Sequence, residues 1–292
     1  MSVVTADRVG GSLSGPLATD PAGPPTVPPG RHSFAGALRS EWTKLRSVRS
    51  TTWSLVATAV LTVAIGILAT GTEAPRWAHS NLGDRLAYDP TSLSLAGFLF
   101  GQLAIGVLGV LVVSAEYTTG TIRATFGAIP NRLTVLAAKV AVFTAVAFIL
   151  GEILSFASFF IGQAILSGST PTAALGQPGV LRAVVGGGLF LTVLGLFALG
   201  LGTIIRHSAG AITVFVAIFF VIPLIVEALP AGIKNAVGKY LPDNIGSTMT
   251  TVKQGFRTDV PTFSPWISFG LLCAYAAAAL IVGAVLLVRR DA

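Results

Sequence analysis

The feature that most limits what this chain can become is a set of long windows without a charge. Residues 183–205, between Arg182 and Arg206, contain no Asp, Glu, Lys or Arg, and the same is true between Arg49 and Glu73, Asp89 and Glu116, His207 and Glu227, and Asp259 and Arg289. The hydrocarbon core of a bilayer is about 30 Å thick, which takes about 20 apolar residues as a helix. Every backbone N–H and C=O inside that core needs an internal partner, so only helices and closed strand barrels can cross it. The windows are continuously apolar rather than alternating in and out, which selects helices. Residues 134–166 form a further, longer stretch, interrupted by Lys139 near its start and Glu152 near its middle. The expected fold is an all-α integral membrane protein with six spans, at about 52–70, 93–115, 134–166, 183–205, 208–228 and 265–288.

Composition agrees. Of 292 residues 53% are hydrophobic and only 11% charged, a surface too apolar for a soluble domain. The net charge of +7 would fit a nucleic-acid binder if its cations formed a patch interleaved with aromatics. Here Lys and Arg lie along the chain at the ends of apolar runs, so the excess reads as membrane orientation and no nucleic-acid partner is expected. The single Cys273 excludes an intrachain disulfide and a paired-cysteine metal or redox site. Three scattered histidines without metal-ligand spacing give a metal no support, and His207, beside Arg206 in a short turn, reads as a headgroup contact.

Residues 1–32 are rich in Pro, Gly, Ser and Thr and are expected to be a disordered tail. They lack the apolar core of a secretory signal, which keeps the N-terminus in the cytoplasm. Residues 33–50 place Phe34, Leu38, Trp42 and Leu45 at helical spacing opposite Arg39, Lys44, Arg46 and Arg49, the pattern of an amphipathic helix lying in the membrane surface. Residues 51–292 then form the six-span domain. With the N-terminus inside, twelve Lys and Arg fall on the cytoplasmic side and seven on the outer side, as the positive-inside rule asks. Six spans return the C-terminus to the cytoplasm, and the protein is expected in the cell membrane. The loop of about residues 228–264, with Pro230, Pro242 and Pro261, is expected outside, partly helical and capping an exit.

Between the second and third spans, on the cytoplasmic side, stands "SAEYTTGTIRATFGAIPNR", residues 114–132. Gly120 can end the preceding helix, Thr121 can cap a new one and Pro130 can stop it, which predicts a helix of about two turns. Ile122, Phe126 and Ile129 share one face, while Arg123 points elsewhere. Such a face either docks on a partner or packs against the protein's own helix ends.

The run Glu116, Tyr117, Gly120, Thr121, Ile122, Arg123, Pro130 and Arg132, followed by "LAAK" ending at Lys139, resembles the motif after the second span of permease subunits of the type-2 ATP-binding-cassette (ABC-2) transporter family. The helix "RSEWTKLRS" and the larger final outer loop are similar too, so the resemblance covers about residues 34–292. It implies a dimer, homomeric or heteromeric, of six-span permeases in membrane lipid, with two copies of a separate ATPase subunit that bind ATP and Mg. It also implies export of an amphiphilic substrate such as a drug, lipid or glycoconjugate. The short cytoplasmic helix would be the coupling helix seated in an ATPase cleft. Glu116, Arg123 and Arg132 would make polar contacts there and Ile122 and Phe126 apolar ones, with Gly120, Thr121 and Pro130 shaping the helix ends.

The chain offers no nucleotide site of its own. A phosphate-cradling loop needs G-x-x-x-x-G-K-[ST], and the nearest stretch, "GIKNAVGKY" at 232–240, has an extra residue between the glycines and Tyr240 in place of the hydroxyl. No G-x-S-x-G elbow with His and Asp partners appears either, so no catalytic residues are expected. Glu152, near mid-membrane, is costly there and marks a substrate path together with Gln102, or else a protonated structural group bonded to a neighbouring backbone or to Gln102. An ion-coupled secondary transporter using Glu152 is the alternative, although repeated broken helices are not visible. Gly97 and Gly101, in G-x-x-x-G register, are expected to let helices approach closely.

Overall fold

The computed structural model describes residues 33–253 and 260–289. The tail expected over residues 1–32 lies outside the described residues. Thirteen α-helices are described, with no strand among these residues. Six segments are long and apolar enough to cross a membrane, as the uncharged windows require.

The chain opens with α1 (Phe34–Ser47), capped by the Ser33 side chain, which accepts from the Gly36 N–H. A one-residue break at Val48 leads into the first span, α2 (Arg49–Trp77). Two short helices follow, α3 (Leu82–Ala87) and α4 (Pro90–Ser94). Asp89 caps α4 and Pro90 stands in its first turn, where a missing N–H costs nothing.

The second span, α5 (Phe98–Thr118), begins at residue 98 rather than the expected 93. The intervening residues instead form α4 and a turn in which the Phe98 N–H donates to Leu95 O at 3.0 Å. Close packing explains the offset. A Cβ at Gly97 would lie 1.8 Å from the Thr62 carbonyl oxygen, and one at Gly101 2.1 Å from Thr62 Oγ1. Only glycine at both positions lets α5 start hard against α2, the small-residue contact expected of that register.

A short α6 (Thr121–Ala128) precedes the third span, α7 (Arg132–Leu166), a single unbroken helix despite Lys139 and Glu152. The fourth is α8 (Val180–Ile205). The fifth is a composite of α9 (Ser208–Val216), a π-turn (Ala217–Val221) and α10 (Ile222–Glu227). Two helices then fill part of the long loop, α11 (Ala231–Gly238) and α12 (Pro242–Thr250), so that loop is partly helical as expected. The last span is α13 (Pro265–Arg289).

The core gathers around α8, which packs on α5, α7 and α13. Its apolar stretch is 72% buried, against 22% for that of α2. Ile105, Leu108, Phe143, Leu194, Leu199 and Phe215 sit fully inside this centre. On α2, Trp53, Val60 and Leu68 remain exposed, as a lipid-facing surface requires. The bundle has two ends. The basal end holds α1, α6, the start of α7 and the close of α13, joined by Lys44–Glu116 and Arg132–Leu287 contacts. The distal end holds α4 and α12, joined through Asp89 and Val252.

Candidate functional site

At the basal end, α5 stops at Thr118 and Gly120 adopts a left-handed conformation, φ 72°. A side chain there would be strained, and the reversal lets the chain restart at once as α6. Gly120, rather than the expected Thr121, occupies the capping position of α6, with no side-chain cap. Thr121 Oγ1 instead lies 2.9 Å from Thr119 Oγ1. The helix ends at Ala128; Ile129 is extended and exposed Pro130 follows. Asn131 then caps α7 by accepting from the Leu133 and Thr134 N–H groups.

The two faces of α6 differ. Ile122 is only 4% exposed, and Phe126 packs against the bundle core. The apolar face therefore turns inward onto the protein's own helix ends. What points away is small and polar: Thr121, Arg123, Ala124, Gly127, Ala128 and Pro130 are exposed. Arg132 does not join them. It donates to the Leu287 carbonyl at 2.9 Å and stacks on the Phe126 ring, 5.4 Å from its centroid. Arg206 donates to the neighbouring Leu286 carbonyl at 3.1 Å and lies over the Tyr117 ring at 5.0 Å. Two arginines thus donate to carbonyls in the last described turn of α13 and tie that end to α5, α7 and α8.

Glu116 belongs to a buried ionic cluster that the sequence did not announce. Lys139 Nζ lies 2.6 Å from Glu41 Oε2 and 2.7 Å from Glu116 Oε1; Lys44 Nζ lies 2.7 Å from Glu41 Oε1 and 2.9 Å from Glu116 Oε1. Glu41 and Lys139 are 4% and 3% exposed. Two carboxylates and two ammoniums leave no net formal charge, which is how four ions can leave water together. Lys44 also donates to Thr125 Oγ1 at 3.2 Å, bringing α6 into the same network. Burial works against the charged form of Lys44, but hydrogen bonds to Glu41 and Glu116 outweigh it and raise its pKa above the ordinary lysine value. The face that α1 turns to the protein is therefore Ala37, Glu41 and Lys44, while Phe34 and Trp42 stay exposed.

At the distal end Asp89 is a four-way acceptor. Its Oδ1 takes the Thr91 and Ser92 N–H groups, and its Oδ2 takes those of Val252 and Lys253 at 2.7 and 3.0 Å. Arg182 donates to the Thr248, Met249 and Thr251 carbonyls, closing the end of α12. Between these fixed walls lies a cavity of about 300 Å³, floored by Leu95, Phe98 and Phe190 and reached by Gln102, Asp243 and Lys253.

Of the two residues expected on a substrate path, Gln102 lines this cavity and Glu152 does not. Of the two bonds open to a structural Glu152, the one to Gln102 is absent: Gln102 Nε2 and Glu152 Oε1 are both buried without a partner. Glu152 lies instead against α8, where a Cβ at Gly188 would come 2.5 Å from its carboxyl group. Glycine there makes room for the carboxyl, which packs on α8.

Six apolar spans, the fourth of them buried among the others, with a short helix slung between spans two and three, mark a multi-pass helical membrane protein. The sequence matches the family described as "ABC-2 family transporter protein" over residues 37–224, well over half of the chain. The chain belongs to that ABC-2 family and is a membrane permease whose family pairs it with a separate ABC ATPase subunit. No curated protein matches the chain.

Proposed function

We propose that this chain is the membrane half of an exporter, in which two permease protomers work with two ATPase subunits that hold the ATP and Mg. The basal end faces the cytoplasm, both termini lie there, and α1 rests in the membrane surface. An amphiphilic cargo leaves by the distal end. Nucleotide-driven closure of the ATPases does the chemistry, and this chain converts that closure into a change of access between its helices.

One observation carries the reading. The outward face of α6 is unengaged while its inward face is joined, through Phe126 and Thr125, to the core and to the ionic cluster. A force on the exposed face reaches α1, α5 and α7 together, because Lys44 and Lys139 bridge Glu41 on α1 to Glu116 on α5. Arg123 is the exposed cation offered to the ATPase, whereas Ile122, Phe126, Glu116 and Arg132 serve by seating α6 rather than by touching the partner.

The test uses Gly127, where an added Cβ meets nothing within 4 Å. Gly127→Arg should fold and insert normally yet lower the amount of ATPase that co-purifies with the full chain. Arg123→Glu should keep partial binding but uncouple hydrolysis from transport, since an exposed pair is worth only about 0.2–1 kcal/mol and repulsion dominates. Normal ATPase binding and coupled transport in both variants would remove α6 from the coupling role.

A further inference from the structure

The distal cavity combines features that a purely structural void lacks. Gln102 is 2% exposed, and its Nε2 has two N–H donors and no acceptor. Buried polar atoms in folded proteins are almost always paired, so an orphan on a residue that lines a cavity asks for a partner that is not part of the chain. Asp243, in the first turn of α12, reaches the same space and has no hydrogen-bond or ion-pair partner among the described residues. Lys253 lines the cavity too but does not neutralise it. It is exposed, and its Nζ donates to the Leu86 carbonyl at 3.3 Å. The floor is aliphatic and aromatic, from Leu95, Phe98 and Phe190.

Each element sets one requirement on an occupant. An unpaired carboxylate beside apolar walls favours a cation, because a charge half out of water is most stabilised by an opposite one. A buried amide N–H asks for an acceptor oxygen. An apolar floor in a space of about 300 Å³ takes a short hydrocarbon body. We infer that the distal cavity is a binding site for a cationic amphiphile: an onium head at Asp243, an ester or ether oxygen on the Gln102 amide, and an apolar tail over Phe98 and Phe190. That this ligand is cargo rests on the exporter reading above; that the site binds it does not.

Octanoylcholine has all three features. Its neutral carbon isostere, 3,3-dimethylbutyl octanoate, removes the charge, octyltrimethylammonium removes the ester, and octylphosphocholine adds an anion. Binding is measured by calorimetry on the full chain in nanodiscs, with no ATPase present. Octanoylcholine should saturate one site per protomer and exceed the neutral isostere by roughly ten- to hundredfold, the range of an opposite charge held close to a carboxylate in a partly desolvated site. Asp243→Asn should erase that preference, and Gln102→Leu should erase the advantage over octyltrimethylammonium. Ala96→Phe, which fills the space, should weaken all the probes together. Melting curves separate misfolding from lost binding, and Asp243→Glu keeps the charge as a second reading of the same contact.

Equal binding of the cation and its neutral isostere, preference for octylphosphocholine, or an Asp243→Asn variant with unchanged selectivity would overturn the site. Selective binding without ATP-driven movement of octanoylcholine by the assembled complex would overturn the export of this ligand and leave the site standing.

Discussion

The ionic cluster at the basal end and the cavity at the distal end hold polar groups in opposite ways. At the basal end four ions from three helices meet within 2.6–2.9 Å and compensate one another. At the distal end an amide and a carboxylate reach a cavity and meet nothing. A charge-compensated network in a low dielectric holds one arrangement even with Glu116 Oε2 left without a partner, because losing any member strands an opposite charge. An unsatisfied pair contributes little to that order and leaves bonding capacity for a ligand. The lesson is that a buried charge in this fold reports on function only once its partners have been counted.

Removing one member should separate the ends most sharply at Lys139. Lys139→Met would leave Glu41 and Glu116 facing each other with only half-exposed Lys44 between them. A broken buried pair costs about 3–5 kcal/mol, so the variant should lose assembled protein from the membrane and melt well below wild type. The double variant Lys139→Met with Glu41→Gln should recover part of the loss, since one charge of each sign has then gone. A single variant that behaves like wild type would mean that the cluster does not hold α1, α5 and α7 together.

A smaller effect is expected at Phe126. Its ring is half-buried against the core and under Arg132, so Phe126→Ala should cost about 1–2 kcal/mol. It should also loosen the seat of α6, lowering ATPase co-purification while insertion stays normal. Smaller still is Glu152→Gln, which keeps the shape beside Gly188 and adds a donor. ATP-driven transport should persist within about twofold, a shift of under 1 kcal/mol. A complete loss with normal assembly would return Glu152 to the transport path and favour the ion-coupled alternative. Last comes Asp243→Asn, which should leave the melting temperature unchanged or slightly higher. Burial pushes the Asp243 carboxyl above its ordinary value, so ionising it opposes folding as pH rises. A drop in stability comparable to that of Lys139→Met would erase the contrast between the ends.

The spans were legible because membrane crossing is a property of contiguous residues: length, apolarity and the absence of charge are all written locally. The short helix was legible for the same reason, as Gly120 and Pro130 mark its limits. The ionic cluster was not, because Glu41 and Lys139 stand 98 residues apart. On a helical wheel of α1, Glu41 looks like one more polar residue among basic ones. The inward turn of Ile122 and Phe126 was equally hidden, since spacing says which residues share a face and not where that face points. The late start of the second span depended on Thr62 of α2, a contact invisible in the local pattern around Gly97.

One helix joins the two regions. α7 begins beside α6, carries Lys139 into the cluster and ends near the cavity wall, where Gln163 donates to Pro90 O and Ser94 Oγ of α4. Its 35 residues rise about 50 Å, more than the full thickness of a bilayer with its headgroups at about 40–45 Å. The fifth span, by contrast, is interrupted by a π-turn and Pro223, the features at which helices kink. With neither of these in its length, α7 is a stiff rod fixed at both ends. A push or twist delivered at Asn131 would meet no such joint before Gln163, so it would shift the cavity wall as a rigid displacement and leave bending to the fifth span.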